Sequence, residues 1–492
     1  GESPPADLPC VALGAVSPSQ PGALLDSGTA LFKVRESIGQ IHVIGAAPGT
    51  ELSLSDSKGA EVQRGKADAQ GGLIFRKLAA GQGYRVRASA SPDQPSRPLT
   101  VHAADGSTPP ACFYQQQKLK PGLNYIVTRD GTTLSAYVTL PGPPEMGPYP
   151  TLVNYSGYDP SRPGKPIDNF KFLCDQFPSI CDPPSDPSAL LSSFFGYATV
   201  GVNIRGTGCS GGAYDYFELL QDLDGYDLIE TIAAQDFVLN HKVGMTGLSF
   251  PGITQLFVAP QQPPSLAAIS PLSVIGNTAT TLFPGGMLNT GFAVGWVAAV
   301  LDRAKPYGQG WEKDRVAAGD MLCGQNQLLH GQAVDNVAEA EQTTFYDPAR
   351  VDPINPSLFV DRIKVPVFLS GAWQDEQTGP FFTTLLDKFT SSPAVHLNVY
   401  NGVHPDGFGP QILGEHHHGV RRHLAHAGHP IVGDPLYGGP EADPSAPGHF
   451  LHAARLRVPH PRGGFLDVEA HLPADRAALL ERLGLSPAAP RT

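Results

Sequence analysis

Val243 to Gly252 reads VGMTGLSFPG, an apolar run broken at Gly247, Ser249 and Gly252. Val243–Thr246 has the length and apolarity of a buried strand, and Ile253–Val258 (ITQLFV) opens a helix. A serine hydroxyl becomes a useful nucleophile when it stands on a sharp turn, within reach of a base and beside backbone N–H groups that can hold an oxyanion. The two flanking glycines suit that turn: Gly247 leaves room for a strained serine, and Gly252 lets the helix pack close to the strand. Pro251 lacks an N–H, but near a helix start that donor has no intrahelical partner. The spacing is G-x-S-x-x-G, not the strict G-x-S-x-G, and Gly-Leu-Ser also occurs in ordinary turns. Whether Ser249 is a nucleophile therefore depends on partners elsewhere in the chain.

Working outward, Phe194–Ile204 (FFGYATVGVNI) reads as a strand and Tyr226–Leu239 (YDLIETIAAQDFVL) as a helix, from the spacing of Leu228, Ile232 and Phe237. Strand, helix and the strand before Ser249 form a βαβ unit, hence a parallel sheet. Tyr149–Tyr155 is fit for a central strand, and Asn124–Thr139 reads as a hairpin around Arg129-Asp130-Gly131. Ala267–Ser270, Val365–Ser370 and Val395–Tyr400 continue the sheet. The Gly-rich run Arg205–Gly212 (RGTGCSGG) lacks the Gly-Lys-Ser/Thr of a phosphate loop and does not open a helix as G-x-G-x-x-G should. It reads as a turn near the mouth of the site, with Arg205 in a structural pair with Asp215 or Asp222. Residues 276–356 are mostly helical in pattern and form a cap inserted into a core of 112–275 and 357–410.

A serine hydrolase of the α/β type carries its nucleophile, acid and histidine in that chain order, the last two just past strand ends. Asp375 follows the strand Pro366–Ser370 through Gly371-Ala-Trp-Gln, and His404 follows His396–Tyr400 through Asn-Gly-Val. Asp375 would orient the His404 imidazole, and His404 would take the Ser249 proton. Asp361, Asp387 and Asp406 are rival acids, but none directly follows a strand-to-glycine turn; His396 lies inside a strand, and His330 lies in the cap. One oxyanion donor is the backbone N–H of Phe250. The other belongs to the loop Ser156-Gly-Tyr158-Asp159, where Tyr158 offers its phenolic O–H.

The segments YSGYDP, RGTGCSGG, KVGMTGLSFPG, VPVFLSGAWQDEQ and NGVHPDG, in this order and spacing, resemble the cocaine esterase and X-prolyl dipeptidyl-peptidase family of serine hydrolases over about Leu123 to Gly409. The resemblance implies a triad of Ser249, Asp375 and His404, an oxyanion hole of Tyr158 and the Phe250 N–H, and a helical cap shaping the pockets. It also implies hydrolysis of a small ester, amide or short peptide without metal or organic cofactor. Ala372 and Gln374 depart from the family, which often has Gly and Tyr there, and the jelly roll that usually follows the family's histidine is not present.

The fold expected is thus an α/β-hydrolase core with a helical cap, preceded by a small all-β, Ig-like sandwich. The sandwich is read at 38–105 from short alternating runs separated by turns such as APGT, DSKGA and DAQGG; residues 1–37 read as an extended lead-in. The sandwich reads as a spacer or stabilising module. A surface-binding role would rest on Phe75 and Tyr84, the aromatics it offers. Over 492 residues the net charge is −12, which argues against a nucleic-acid partner, and no run of 18 apolar residues suggests a membrane span. Oligomeric state is left open. The start GESPPADLPC, without Met or a signal-like apolar run, suggests a mature or trimmed form. Six cysteines without a C-x-x-C pair disfavour a zinc or redox site. Cys174–Cys181 and Cys10–Cys112 are possible disulfides, buried thiols being the alternative; a secreted or periplasmic home is the expectation.

From Gly414 the composition changes: the last lysine is Lys388, and 10 of the 16 histidines fall after Gly414. The stretch HHHGVRRHLAHAGHPIVGDPLYGG, with LHAARLRVPHP and VEAHLPAD, resembles the carboxyl-terminal end of RNA pseudouridine synthases through His418, Arg421, His423 and Gly433-Asp434. That family's catalytic aspartate belongs to an upstream His-Arg-Leu-Asp segment that this sequence lacks, so 414–492 reads as an inert fragment, and 411–415 as the junction of a fused or mis-joined frame. An RNA-binding or RNA-modifying protein, or a catalytically dead scaffold, are the alternative functions. A metal site from His416, His417, His418, His423 and His426 lacks a clear tetrahedral set and is set aside.

Overall fold

Between Lys33 and Val101 the short apolar runs pair into two antiparallel sheets. β1 (Lys33–Glu36), β2 (Ile41–Ile44) and β5 (Leu73–Phe75) make one; β3 (Glu51–Ser55), β4 (Glu61–Lys66), β6 (Gly81–Ala88) and β7 (Leu99–Val101) make the other, in the order β4-β3-β6-β7. Val34, Ile41, Leu52, Leu54, Val86 and Leu99 fill the space between them without exposure. The computed structural model describes residues 28–165, 183–343, 345–408, 455–459 and 465–469, within two units, Gly1–Phe408 and Gly409–Thr492. β1 falls inside the stretch expected to be an extended lead-in. Four residues are too few to show alternation, and what fixes them is pairing with β2, from Lys33↔Ile44 to Glu36↔Ile41. Phe75 and Tyr84 are packed into this core, so neither supplies the aromatic surface considered above.

The rest of the first unit is built on one eight-stranded sheet in the order β15-β14-β13-β12-β10-β11-β9-β8. After α1 (Ala111–Gln115), its strands are β8 (Gly122–Val127), β9 (Thr133–Thr139), β10 (Tyr149–Ser156), β11 (Ala198–Asn203), β12 (Val238–Leu248), β13 (Leu266–Leu272), β14 (Val367–Ala372) and β15 (Val395–Tyr400). β8 and β9 are antiparallel; from β11 to β15 every pairing is parallel. Parallel neighbours need crossovers. α2 (Pro187–Phe194) joins β10 to β11, α3 (Leu219–Ala233) carries the chain past β10 to β12, and α4 (Phe250–Val258) joins β12 to β13. Both faces of the sheet are therefore covered, and β11 is buried at all six positions. This order and these crossovers are the α/β-hydrolase fold.

Two elements differ from the sequence reading. The run Phe194–Ile204 is divided: Phe194 ends α2, whose start is capped by Asp186 accepting from the Ser188 N–H, and the strand begins at Ala198. The helix expected at Tyr226–Leu239 lies one to two turns earlier, because Val238 and Leu239 already belong to β12, where Val238 pairs with Tyr149. An apolar face alone could not distinguish a longer helix from a helix followed at once by a strand. Between β14 and β15 the chain makes a 3-10 turn at Pro380–Leu385. Between β13 and β14 come α5 (Thr278–Leu282), α6 (Phe292–Ala304), α7 (Trp311–Ala317), α8 (Met321–Asn326), α9 (Asn336–Gln342) and α10 (Pro348–Val351).

The small sheets are tied to the large one through buried polar groups. Arg35 donates to Gly131 O and Thr132 Oγ1, Ser37 donates to Asp130 Oδ2, and Gln40 donates to Glu218 Oε2. Among the described residues of the second unit, Arg455–Pro459 and Phe465–Glu469 pair as antiparallel β16 and β17. The tail histidines His416, His417, His418, His423 and His426, and the junction at 411–415, lie outside the described residues.

Candidate active site

Ser249 sits between β12 and α4 with φ 66° and ψ −124°, a conformation few residues other than glycine adopt. The turn is held on both sides. Ser249 N–H donates to Leu272 O at 2.9 Å, and Ser249 O accepts from Gly252 and Ile253 N–H, each at 2.8 Å. A Cβ at Gly252 would stand 2.7 Å from Leu272 O, and one at Gly247 2.5 Å from Pro251 Cβ, so both glycines are required by close approach. Two polar residues of the fully buried α4, which sequence reasoning did not single out, lock it in place. Thr254 Oγ1 donates to Tyr155 O of β10, while Gln255 accepts from the Ser270 N–H of β13 and donates to Pro251 O. Their signal was a pair of polar side chains in an otherwise apolar helix.

Asp375 and His404 follow β14 and β15 at the same carboxyl edge of the sheet. His404 Nδ1 lies 2.7 Å from Asp375 Oδ2, which also accepts from Thr378 Oγ1; Asp375 Oδ1 accepts from the Gln377 and Thr378 N–H groups. Burial alone would raise the Asp375 carboxyl, but the hydrogen bond and charge of His404 and the two backbone donors bring it down to about 2. An ionised Asp375 accepts from Nδ1–H and leaves Nε2 as an acceptor. Nε2 is buried and has no hydrogen-bond partner among the described residues. The His404 N–H donates to Glu376 Oε2 at 3.0 Å, which holds the Glu376 carboxyl below its ordinary value. Ser249 Oγ and His404 Nε2 are not hydrogen-bonded to each other among the described residues; such contacts commonly tighten only when substrate is bound. Asp361 and Asp387 are exposed, and Asp406 accepts from the Val403 N–H. His396 is exposed on edge strand β15, and His330 is buried against Ser210 O at 2.7 Å.

The loop after β10 brings Tyr158 to Phe250, ring edge to face at 5.4 Å. A Cβ at Gly157 would be 2.6 Å from the Phe250 ring. As the first residue of α4, Phe250 has an N–H without an intrahelical acceptor, at the positive end of the helix. Tyr158 Oη accepts from Trp296 Nε1–H at 2.9 Å.

The Arg205 side chain is buried, but its partners are not Asp215 or Asp222. It makes a two-pronged pair with Asp224 at 2.7 and 2.6 Å and reaches Asp130 at 3.3 Å. α3 turns Asp224 toward the sheet, and the β8–β9 hairpin supplies Asp130. Burial raises Asp224, to about 6 even beside Arg205. A disulfide joins Cys209 of the Gly-rich turn to Cys323 of α8. This pairing was not foreseen, because nothing local in the sequence brings residues 114 apart together. Cys112 is also disulfide-bonded, whereas Cys10, Cys174 and Cys181 lie outside the described residues. Among the described residues no three His, Cys, Asp or Glu side chains cluster as metal ligands, and no helix is long and apolar enough to cross a membrane.

Comparison with known proteins gives two kinds of match. The chain is 36% identical over 107 residues to ribosomal large subunit pseudouridine synthase D of Nitrosomonas europaea, over 20% of this chain and 27% of that protein. It is 46% identical over 67 residues to an uncharacterized RNA pseudouridine synthase of Chloroflexus aurantiacus, over 13% of this chain and 21% of that one. The chain thus spans about a quarter of the length of these curated relatives. Among solved structures it is similar to a CocE/NonD family hydrolase from Staphylococcus aureus, at 19% identity and TM-score 0.46 over 62% of this chain and 54% of that one. An alpha-amino acid ester hydrolase follows at 17% identity and TM-score 0.41 over 65% and 54%. Residues 130–406, more than half of the chain and the whole span from the β8–β9 turn through Ser249 and Asp375 to His404, match the family described as X-Pro dipeptidyl-peptidase (S15 family), and the chain belongs to that family.

Proposed function

We propose that this chain is a serine hydrolase that cleaves ester or amide bonds through an acyl-enzyme. The observation that carries the reading is the 2.7 Å bond between Asp375 and His404 Nδ1, which leaves a buried Nε2 without a partner among the described residues, at the sheet edge where Ser249 stands on its turn. Ser249 Oγ attacks the acyl carbon while His404 Nε2 takes its proton. The oxyanion forms between the Phe250 N–H and the Tyr158 O–H. His404 then returns the proton to the leaving alcohol or amine, and water repeats the sequence to release the acid. The buried disulfide between Cys209 and Cys323 favours an oxidising compartment, secreted or periplasmic.

Hydrolysis of short p-nitrophenyl esters should be measured beside Gly-Pro and Ala-Pro p-nitroanilides, with the chain and its Ser249→Ala variant. Ester turnover lost in the variant by roughly 10⁴-fold or more supports the triad and an esterase. Anilide turnover assigns an X-Pro peptidase. Turnover that survives in Ser249→Ala overturns the reading. The matches to pseudouridine synthases favour a second reading, RNA binding; it requires affinity for structured RNA that falls steeply with salt.

A further inference from the structure

Three side chains from the helical insert converge on the three-residue loop that carries Tyr158. Trp296 and Arg303 are seven residues apart on α6, two turns along one face of the helix. Trp296 Nε1–H donates to Tyr158 Oη at 2.9 Å, and Arg303 forms an ion pair with Asp159, the next residue. Gln309, between α6 and α7, donates through Nε2 to Gly157 O at 2.9 Å and to Tyr158 O at 2.7 Å. Its Oε1 accepts from Trp311 Nε1 and Asn203 Nδ2, each at 3.2 Å, which fixes the amide's orientation.

Indole Nε1–H can only donate, so its bond to Tyr158 occupies a lone pair of the phenolic oxygen. The single hydroxyl proton must then point elsewhere, and it has no acceptor among the described residues. A hydroxyl that accepts a hydrogen bond also becomes a better donor, since chained hydrogen bonds polarise one another. The Trp296 ring is held in turn, edge to face against Phe250 at 5.2 Å and Tyr216 at 6.2 Å. Phe250 is itself the residue whose N–H is the other donor.

We propose that Trp296 is a positioning residue for the oxyanion hole: from the helical insert it aims the Tyr158 hydroxyl proton into the site, while Arg303 and Gln309 hold the backbone beneath it. This rests on the serine-hydrolase reading. The insert is then part of the catalytic geometry.

The test is a double-mutant cycle on p-nitrophenyl ester hydrolysis with Trp296→Phe, which keeps a ring and removes the N–H, and Tyr158→Phe. Tyr158→Phe should lower kcat by roughly 100-fold. Trp296→Phe should lower kcat by about 3- to 10-fold with KM little changed, and its effect should disappear in the Tyr158→Phe background. Trp296→Phe at wild-type kcat, or an equal loss in both backgrounds, overturns the proposal. Full activity in Tyr158→Phe also overturns it, while loss of turnover in Ser249→Ala would leave the triad standing; turnover that persists in Ser249→Ala instead removes the hydrolase reading itself.

Discussion

Four donors converge on Asp375: His404 Nδ1, Thr378 Oγ1 and the N–H groups of Gln377 and Thr378. A carboxylate so surrounded is stabilised in its charged form, and its depressed pKa is a statement about stability. The contribution is present above the unfolded value of about 3.9 and is lost as pH falls through about 2. Asp375→Asn should therefore be less stable than the wild type by about 2 kcal/mol at neutral pH. Urea unfolding should show that difference narrowing between pH 4 and pH 2. A difference independent of pH would mean that Asp375 is not ionised in the fold. The same substitution should slow ester hydrolysis by roughly 10⁴-fold, since an amide at this position favours the wrong imidazole tautomer.

At the scale of elements, the turn from β12 into α4 is where backbone meets backbone. Gly252 faces two carbonyl oxygens, Leu272 O and Gly247 O, neither of which can rotate away. Gly252→Ala should cost about 1–3 kcal/mol in stability by forcing the helix off the sheet, read as a lower midpoint in urea. It should also displace the Phe250 N–H from the site. An alanine accommodated without loss of stability would show that α4 has room to move, against the packing seen here. The insert between β13 and β14 meets the Gly-rich turn through side chains instead. Trp311, Gln309 and Asn203 each bring a side-chain atom within 2.9 Å of where a Cβ of Gly208 would stand, at a positive φ of 55°, and the adjacent Cys209 is bonded to Cys323. The Gly-rich run is thus a close-packed seat for the insert.

At the scale of the molecule, the small amino-terminal sheets and the large sheet share one buried charge network. Arg35 donates to His42 Nδ1, His42 Nε2 meets Gln40 Oε1, and Asp130 lies between Ser37 and Arg205, which holds Asp224. Removing one member leaves opposite charges buried and unpaired. Arg205→Met should destabilise by roughly 3–5 kcal/mol at pH 8. With its pKa raised by burial, Asp224 contributes stability that is present below its unfolded value and lost as pH rises through about 6. The loss in Arg205→Met should therefore be smaller at pH 5, where Asp224 can take a proton. A penalty equal at both pH values would place the cost in packing instead of charge.

The strands, their parallel pairing and the chain positions of Ser249, Asp375 and His404 were legible in the sequence because each depends on near neighbours: an apolar run, a glycine turn, a residue just past a strand end. The boundaries of β11 and α3 were not, since an apolar face continues across a helix–strand junction without changing its composition. Trp296, Gln309 and the partners of Arg205 were beyond it for a different reason. Trp296 meets Tyr158 across 138 residues, Gln309 meets Gly157 across 152, and Arg205 meets Asp130 across 75. Periodicity carries no information about such pairs; they exist only once the insert folds onto the sheet. Sequence alone placed Ser249, Asp375 and His404 past the ends of their strands, along one edge of the sheet. Tertiary structure decided how the hydroxyl, the carboxylates and the guanidinium are aimed, because hydrogen bonds and buried charge pairs demand distances near 3 Å that only packing can set.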